Sequence, residues 1–376
     1  GVTYGKKYNF DLAIASYDAA LALKPDYPDA HFNKGIAYGE KGAFDLAIAS
    51  FDAALALKPD YPDAHFNKGI AYGDKGDFDM AIASFDAALA LTSDYPDAHY
   101  YKGFAYADKG EYDLAIASYD AALALKPDYP DAHYGNGFAY ANKGAFDLAI
   151  ASYEAALTLK PNYPAAHFGK GVAYTYKGDF DMVIASFDAF LVLKPDYPDA
   201  HYYKGLAYDN KGDYDSAIAC YDKGLSSDPD NPDLHFSKGL AYSENGDLHK
   251  AIECYEQALN LDEAHFDALF SLAWEKLKLG QLGDAESYFK KAWEVSEQTN
   301  SLTAMNLGHV YLLHGDRGKA IEWYRKSLPL WEDLNEFWEG METDYEDLRM
   351  AEKGMAKEDY QNLIADLKKL PPASEG

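Results

Sequence analysis

Apolar side chains along the chain fall into two alternating helical runs. Counting Pro28 as position 1, a first run at helical spacing ends at Gly42, and a second extends from Phe44 to Leu57. Glycine favours the left-handed conformation in which many helices end. The pattern therefore predicts two helices, A and B, in each stretch of 34 residues.

This two-helix pattern returns with a fixed period. A seventh unit starts at Asn231, two looser units follow, and the first six are opened by Tyr27, Tyr61, Tyr95, Tyr129, Tyr163 and Tyr197. A fixed period of this length indicates a supersecondary unit that buries its apolar face by stacking on copies of itself. We expect one elongated domain with a truncated opening half-repeat at 1–27, nine repeats at 28–334, capping helices at 335–370 and a disordered tail at 371–376.

Small residues occupy two fixed places where the helices of a pair approach each other. Position 8 is Gly in most units, as in Gly35 and Gly69, and position 20 is Ala in most units, as in Ala47 and Ala81. With Tyr at position 11, an aromatic residue at position 24 and Pro at position 32, residues 1–334 resemble the tetratricopeptide repeat family, in its bacterial or archaeal type. The resemblance implies an all-α fold, a right-handed α-solenoid or superhelix of antiparallel helix pairs with a 34-residue repeat.

Some positions depart from that family's pattern. His31 and its equivalents occupy position 4, where the family often has Trp, and Lys34 and its equivalents occupy position 7, where it often has Leu. We expect the lysine stem to cover apolar surface with its amine in water, and the histidine to pack with one nitrogen hydrogen-bonded. A later unit carries Val183 and Phe190 at positions 20 and 27, and the next has Gly224 at position 27. We expect the large residue to fill the space that the small one vacates, rather than a ligand site.

Charge and composition narrow the kinds of partner. Thirty-four Lys and Arg against 62 Asp and Glu give a net charge of −28, so repulsion from phosphate argues against nucleic acid and anionic membranes. The acidic side chains favour a basic partner, or they only keep a long apolar stack soluble. Cys220 and Cys254, on the outer part of helix B, predict free thiols, which favours a reducing, cytoplasmic compartment without excluding export. No apolar run predicts a membrane span.

The histidines and paired aspartates, which could bind a metal or act in catalysis, have structural roles that explain their positions. The histidines at position 4 lie one repeat apart, whereas the ligands of one metal ion lie about 2 Å from it. The carboxylate pairs Asp179/Asp181 and Asp213/Asp215 fall in the first turns of B helices, where acids stabilise the positive end of the dipole. Nucleotide-binding, metalloprotease and nucleophile motifs do not occur. The sequence therefore predicts a non-enzyme without cofactor or metal.

The family resemblance also implies a binding surface. In that family, positions 2, 5, 6, 9, 12 and 13 of helix A line a concave groove that holds a partner segment. Here the surface is aromatic, amide-bearing and mildly acidic, and lacks the Lys and Asn with which some relatives hold a terminal carboxylate. It suits a peptide with apolar anchors and Lys or Arg, while plain solvated surface is the alternative. The candidate site residues are Phe32, Asn33, Ile36, Glu40, Phe66, Asn67, Ile70, Asp74, Tyr100, Tyr101, Phe104, Asp108, Tyr134, Phe138, Asn142, Phe168, Tyr176, Tyr202, Tyr203 and Asp209.

These observations favour a non-catalytic scaffold that binds a protein or peptide through many shallow contacts on a preformed surface. Two alternatives remain open. The array self-associates through apolar surface on its open N-terminal half-repeat, or it is the recruiting arm of a larger enzyme whose catalytic domain lies upstream of Gly1. Because the sequence begins inside a repeat, we expect residues to be missing before it.

Overall fold

The computed structural model describes residues 10–348, 350 and 355–369, and in these residues the regular structure is helical throughout. The chain divides into two compact units, residues 1–194 and 195–376. The predicted tail at 371–376, and the first nine residues of the predicted opening half-repeat, lie outside the described residues.

The first unit contains eleven helices in its described part. They are α1 Phe10–Leu23, α2 Pro28–Glu40, α3 Phe44–Leu57, α4 Pro62–Asp74, α5 Phe78–Leu91, α6 Pro96–Asp108, α7 Tyr112–Leu125, α8 Pro130–Asn142, α9 Phe146–Leu159, α10 Pro164–Lys177 and α11 Phe180–Leu193. The even-numbered helices are the predicted A helices, and each starts at the proline of position 1. A proline fits there because the N–H that it lacks would have no partner within the first turn of the helix.

The second unit continues the same alternation and then departs from it. Its helices are α12 Pro198–Asn210, α13 Tyr214–Ser227, α14 Pro232–Glu244, α15 Leu248–Leu261, α16 Phe266–Lys278, α17 Leu282–Val295, α18 Ser301–Leu313, α19 Arg317–Ser327, a 3-10 helix Leu328–Leu330, α20 Leu334–Asp347 and α21 Lys357–Leu367. The last two occupy the segments for which the sequence predicts capping helices, and each is shorter than that prediction.

Each A helix packs tightly on the B helix that follows it. A Cβ atom on Gly69 would lie 2.6 Å from Cε1 of Phe85, and Ala81 in the same pair is fully buried. Gly42 closes α2 with a φ of +73°, which side chains with a Cβ rarely adopt. The predicted small positions and helix ends are therefore confirmed, and with them the all-α solenoid of helix pairs.

A second size relationship links each B helix to the next A helix. Tyr119 at position 24 is followed by Gly135 at position 6, where a Cβ would lie 2.5 Å from the tyrosine Cζ. Where position 24 is phenylalanine, as in Phe85, position 6 of the next repeat is large, as in Tyr101. At Gly135 the end of the Tyr119 ring therefore takes the room that a side chain at position 6 would need. Tyr17 before Asn33 in the opening repeat does not follow this relationship.

Rows of ion pairs tie neighbouring repeats together within each unit. The lysine at position 7 contacts the carboxylate at position 25 of the preceding B helix, with N–O distances of 2.6 to 2.7 Å in the pairs Lys34–Asp18, Lys68–Asp52, Lys102–Asp86, Lys170–Glu154 and Lys238–Asp222. Asn136 replaces this lysine in one repeat, and its amide donates to Asp120 Oδ1 at 2.7 Å. The amine that the sequence places in water thus also has a carboxylate of the preceding helix beside it, and the side chains of these pairs stay partly exposed.

The irregular repeats are packed by local compensation. Leu234 stands at position 3, where earlier repeats have alanine, and a Cβ on Gly224 would lie 3.1 Å from its Cδ1 atom. Leu234 therefore fills the space at Gly224. This corrects the prediction that Phe190, at position 27 of the preceding repeat, fills that space. Val183 and Phe190 are buried in the first unit, and the Phe190 ring lies 5.3 Å from that of Phe168.

Candidate functional site

The aromatic rings at position 5 of the A helices are packing groups as well as surface. The Phe66 ring lies 5.8 Å from Phe85 of its own helix pair and 4.9 Å from Tyr95 in the following linker. Tyr100 repeats this arrangement with Tyr119 at 5.8 Å and Tyr129 at 5.0 Å. The sequence analysis gives position 5 only a place in the groove, and the structure adds a packing role, since each ring is half-buried at the joint between repeats. The other members of this set are Phe32, Tyr134, Phe168 and Tyr202, which contact the position-24 ring in the same way.

Polar groups at position 6 are already engaged within their own helices. The Asn33 and Asn67 amides donate to the carbonyls of Asp29 and Asp63 at 2.7 and 2.8 Å. Asn142, at position 13 of α8, donates to the Phe138 carbonyl at 2.9 Å. Their amide oxygens remain as the groups through which these side chains accept hydrogen bonds from a partner.

Two tyrosines stand in place of asparagine at position 6. The Tyr101 ring lies 5.1 Å from Tyr100, and the Tyr203 ring lies 5.7 Å from Tyr202. Burial raises the pKa of the Tyr101 hydroxyl, so this group is a neutral donor at physiological pH.

Four aromatic side chains on the described A helices are exposed, Tyr101 among them. We name the three at positions 9 and 13 the exposed aromatic stripe: Phe104 of α6, Phe138 of α8 and Tyr176 of α10. Their exposed fractions are 48%, 40% and 71%. The Tyr176 ring stacks on Phe146 at 4.8 Å with the planes 3° apart, and the Tyr112 ring lies 6.5 Å from Phe138. The stacked contact orients Tyr176, and the Tyr112 ring meets Phe138 edge-on.

Acidic side chains lie at position 13 of the first three complete repeats. Glu40, Asp74 and Asp108 are exposed, and partial burial raises the pKa of Asp108. Between α2 and α4, a cavity of about 530 Å³ brings together Ile36, Glu40, Asn67, Ile70 and Asp74, all of them candidate site residues. Gly39 also lines this cavity, and a Cβ there would meet no atom within 4 Å, so the missing side chain leaves the cavity open.

Asp209 in α12 behaves differently from these acids. Its carboxylate is half-buried and accepts a hydrogen bond from the Tyr221 hydroxyl, and burial raises the pKa of Asp209 to about 6. This carboxylate is a packing group of the second unit more than an open binding group.

The histidines at position 4 hold the linkers in place. His65 Nε2 lies 3.2 Å from the Pro59 carbonyl, and His133 and His167 lie 2.9 Å from the carbonyls of Pro127 and Pro161. The hydrogen-bonded interpretation of these residues is confirmed. The described residues contain no cluster of His, Cys, Asp and Glu that could hold a metal ion.

The two cysteines are free thiols, as predicted, but both are buried rather than on the outer part of the helix. Burial raises the pKa of Cys254, which keeps this thiol protonated. In the described part of the chain, no helix combines the length and the apolar character needed to cross a membrane.

The ion-pair rows are the feature that the sequence interpretation missed. A signal was available, because an acidic residue precedes each position-7 lysine by 16 residues, as Asp52 precedes Lys68. The rows neutralise lysines at the repeat joints, so the unpaired acids at position 13 dominate the charge beside the cavity.

Comparison with known proteins covers both sequence and structure. Family models described as TPR repeat or tetratricopeptide repeat match residues 2–62, 69–110, 105–144, 139–178, 210–246, 232–265, 266–299 and 303–329, which together make up most of the chain. No curated protein sequence matches this chain significantly.

Several solved structures are similar to this chain. The C-terminal part of a TPR repeat-containing protein from Cytophaga hutchinsonii is 23% identical, with 63% of this chain and 98% of that chain covered and a TM-score of 0.56. YrrB, described as a TPR protein with an unusual peptide-binding site, is 21% identical over 50% of this chain and 96% of its own, with a TM-score of 0.47. A MamA protein is 28% identical over 45% of this chain and 92% of its own, with a TM-score of 0.44.

The Cytophaga structure shows the same fold over nearly two thirds of the chain. The family models match the repeats on which the packing of both units rests, and repeats of this kind support a protein–protein interaction scaffold as the general role. The chain belongs to the tetratricopeptide repeat family.

Proposed function

We propose that this chain is a non-catalytic scaffold that binds a partner segment along the A helices of its first unit. The exposed aromatic stripe carries the proposal, because three large rings open to solvent on successive A helices are a surface that a monomeric protein seldom leaves bare. Stacking on Phe146 orients Tyr176 before a partner arrives, and Tyr112 meets Phe138 edge-on, so less entropy is lost on binding.

The chemistry of the partner follows from the groups beside the stripe. Phe104 and Asp108 are four residues apart in α6 and therefore lie side by side on one helix face. The cavity between α2 and α4 repeats this combination with Ile36, Ile70, Glu40 and Asp74. A segment that alternates apolar anchors with Lys or Arg matches both places, since the anchors bury apolar surface and the cations meet the carboxylates.

A labelled peptide with this pattern tests the proposal. We would titrate fluorescein-Gly-Lys-Phe-Lys-Leu-Lys-Gly into the full chain and into a variant with Glu40→Lys, Asp74→Lys and Asp108→Lys. The matched control changes Asp26, Asp60 and Asp94 to Lys, which alters net charge equally at exposed linker positions. We expect at least a tenfold loss of affinity in the first variant and little change in the control.

Equal losses in both variants would mean that only net charge matters and would refute a site on the A helices. The double variant Phe104→Ala with Phe138→Ala checks the apolar contribution, with exposed Leu148→Ala on helix B as its control. Light scattering on the same samples tests self-association. Oligomers of the parent chain that dissociate in the Phe104→Ala/Phe138→Ala variant would replace the peptide-binding proposal with an interface between copies.

A further inference from the structure

A second pocket lies in the C-terminal unit, on the B helices rather than on the A helices. It is formed by α17, α19 and the 3-10 helix that follows α19, and its volume is about 580 Å³. That volume lies in the range of pockets that bind small ligands and single peptide anchors. Its lining includes Trp293, Ile321, Leu330, the cationic Arg325 and Lys326, and one acid, Glu322.

The cationic side chains of this pocket are unusual for the chain. Of the 34 Lys and Arg residues only three are arginine, at positions 317, 325 and 349. Arg317 pairs with Asp366 at 3.1 Å, and Lys326 pairs with Glu322 at 3.0 Å. Arg325 is half-buried, and within residues 10–348, 350 and 355–369 it has no ion pair. A partly desolvated guanidinium without an anion is unfavourable, and its fork of donors fits a carboxylate in two parallel hydrogen bonds.

Apolar side chains flank this guanidinium. Trp293, Ile321 and Leu330 are half-buried and leave part of their surface facing the pocket. The Trp293 ring meets Trp323 edge-on at 5.5 Å, which fixes its orientation. A ligand with an apolar side chain next to a carboxylate would therefore contact the apolar wall with the first group and the Arg325 guanidinium with the second.

The pocket wall is fixed in advance by hydrogen bonds. The Trp331 indole donates to Ser327 Oγ at 2.9 Å, and the Ser327 hydroxyl donates to the Ser301 carbonyl at 2.8 Å, so the 3-10 helix is anchored to α18 and α19. A wall that is already ordered loses little entropy when a ligand binds.

The backbone beside the pocket is strained. Glu297 and Gln298 have φ values of +52° and +66°, a left-handed conformation that residues with a side chain rarely adopt. They are the described non-glycine residues with positive φ, and Gln298 lines the pocket. Strain of this kind concentrates at functional sites, where the surrounding structure holds it.

We propose that this pocket binds an acidic segment of a partner protein, in which a bulky apolar side chain packs on Trp293, Ile321 and Leu330 while a neighbouring Asp or Glu carboxylate pairs with Arg325. The charge of this site is opposite to that of the A-helix surface, and the site does not depend on the function proposed above. With both sites filled, the chain holds two segments of opposite charge.

A pair of isosteric peptides tests this site on the full chain. Fluorescein-Ser-Phe-Glu-Leu-Glu-Ser is expected to bind, and its Gln counterpart, Ser-Phe-Gln-Leu-Gln-Ser, to bind at least tenfold more weakly, because the charge alone differs. Arg325→Gln should lower the affinity for the Glu peptide at least tenfold. Arg317→Gln, which removes the other described arginine, should leave that affinity within a factor of two.

Arg325→Lys separates the effect of the guanidinium geometry from that of its charge. It also replaces Arg325→Gln if circular dichroism shows that Arg325→Gln is unfolded. It keeps the positive charge and loses the fork, so an intermediate affinity is expected. Three results would overturn the proposal: no binding of the Glu peptide at millimolar concentration, equal binding of the two peptides, or undiminished binding by either Arg325 variant. The variant with Glu40, Asp74 and Asp108 changed to Lys should retain the site, and its failure to bind would place the peptide elsewhere.

Discussion

The ammonium group of Lys68 in α4 lies 2.6 Å from the Asp52 carboxylate in α3, so the ion pair spans the boundary between two repeats. Partly exposed pairs of this kind contribute about 0.5 to 1 kcal/mol. In a double-mutant cycle of Lys68→Ala and Asp52→Ala, we expect a coupling energy of that size from urea denaturation. It should shrink in 1 M NaCl because salt screens exposed charges, and a coupling that is indifferent to salt would contradict the ionic interpretation.

Gly69→Ala should destabilise the chain by about 1 to 3 kcal/mol, because overpacking forces displacement of neighbours. The new Cβ would meet the Phe85 ring at 2.6 Å. Gly73→Ala in the same helix is the matched control, since its Cβ would have Ala81 Cβ as nearest neighbour at 4.0 Å. Alanine suits a helix better than glycine, so the control should gain about 0.5 to 1 kcal/mol. Similar effects of the two substitutions in urea denaturation would refute the close packing at position 8.

Gly135→Asn should likewise destabilise the first unit, because the added side chain would overlap the Tyr119 ring. Adding Tyr119→Phe should restore most of the loss. That double variant recreates the combination of Phe51 and Asn67, which the chain already uses. Thermal unfolding of the two single variants and the double variant measures the coupling, and additive effects would show that the hydroxyl does not decide the size of position 6.

His309 should make the second unit sensitive to acid. It is fully buried, its Nε2 lies 3.1 Å from the Tyr360 hydroxyl, and burial lowers the pKa of His309 to about 3. The unfolded chain binds the proton near pH 6.5 and the folded chain does not, so stability is full above that pH and falls as pH decreases towards 3. Between pH 7 and pH 4, this group alone should remove about 3 kcal/mol.

The control for this prediction is His309→Gln, in which the titrating group is absent. We expect the variant to be less stable at pH 7 but to lose less stability on acidification, as measured by urea denaturation at both pH values. Parallel pH dependences of the two proteins would assign the acid sensitivity to other groups.

Repetition explains why the sequence predicts so much of this fold. Gly35, Gly69 and their equivalents show the same small residue in copy after copy, so the close approach of helices A and B can be inferred without knowing either partner. Pro62 and Gly76 mark the two ends of helix A in the same way. These signals are local, because each depends on residues within one repeat.

Contacts between repeats were predicted less well. The position of Phe66 suggested an open groove, yet its ring reaches Tyr95 of the next linker at 4.9 Å. Lys68 and Asp52 meet because of the angle at which one helix pair stacks on the next. The constant spacing of 16 residues between acid and lysine indicates the pair only once that stacking is known. Phe104, Phe138 and Tyr176 are among the candidate site residues, but the sequence does not separate exposed Phe104 from half-buried Tyr100, because that difference in burial comes from stacking.

The size rule that links Tyr119 to Gly135 also limits how such an array can change its length. Nearly identical coding copies misalign easily during recombination, and each crossover joins the front of one repeat to the back of another. A junction that placed Tyr153 before Tyr101 would set the tyrosine ring against a large side chain, whereas a junction of Phe51 with Tyr101 would fit. Asn33 after Tyr17 shows that asparagine is accepted after a tyrosine in the opening repeat. Gain and loss of repeats should therefore be tolerated between copies of the same type, so that the order of the present units records which crossovers could fold.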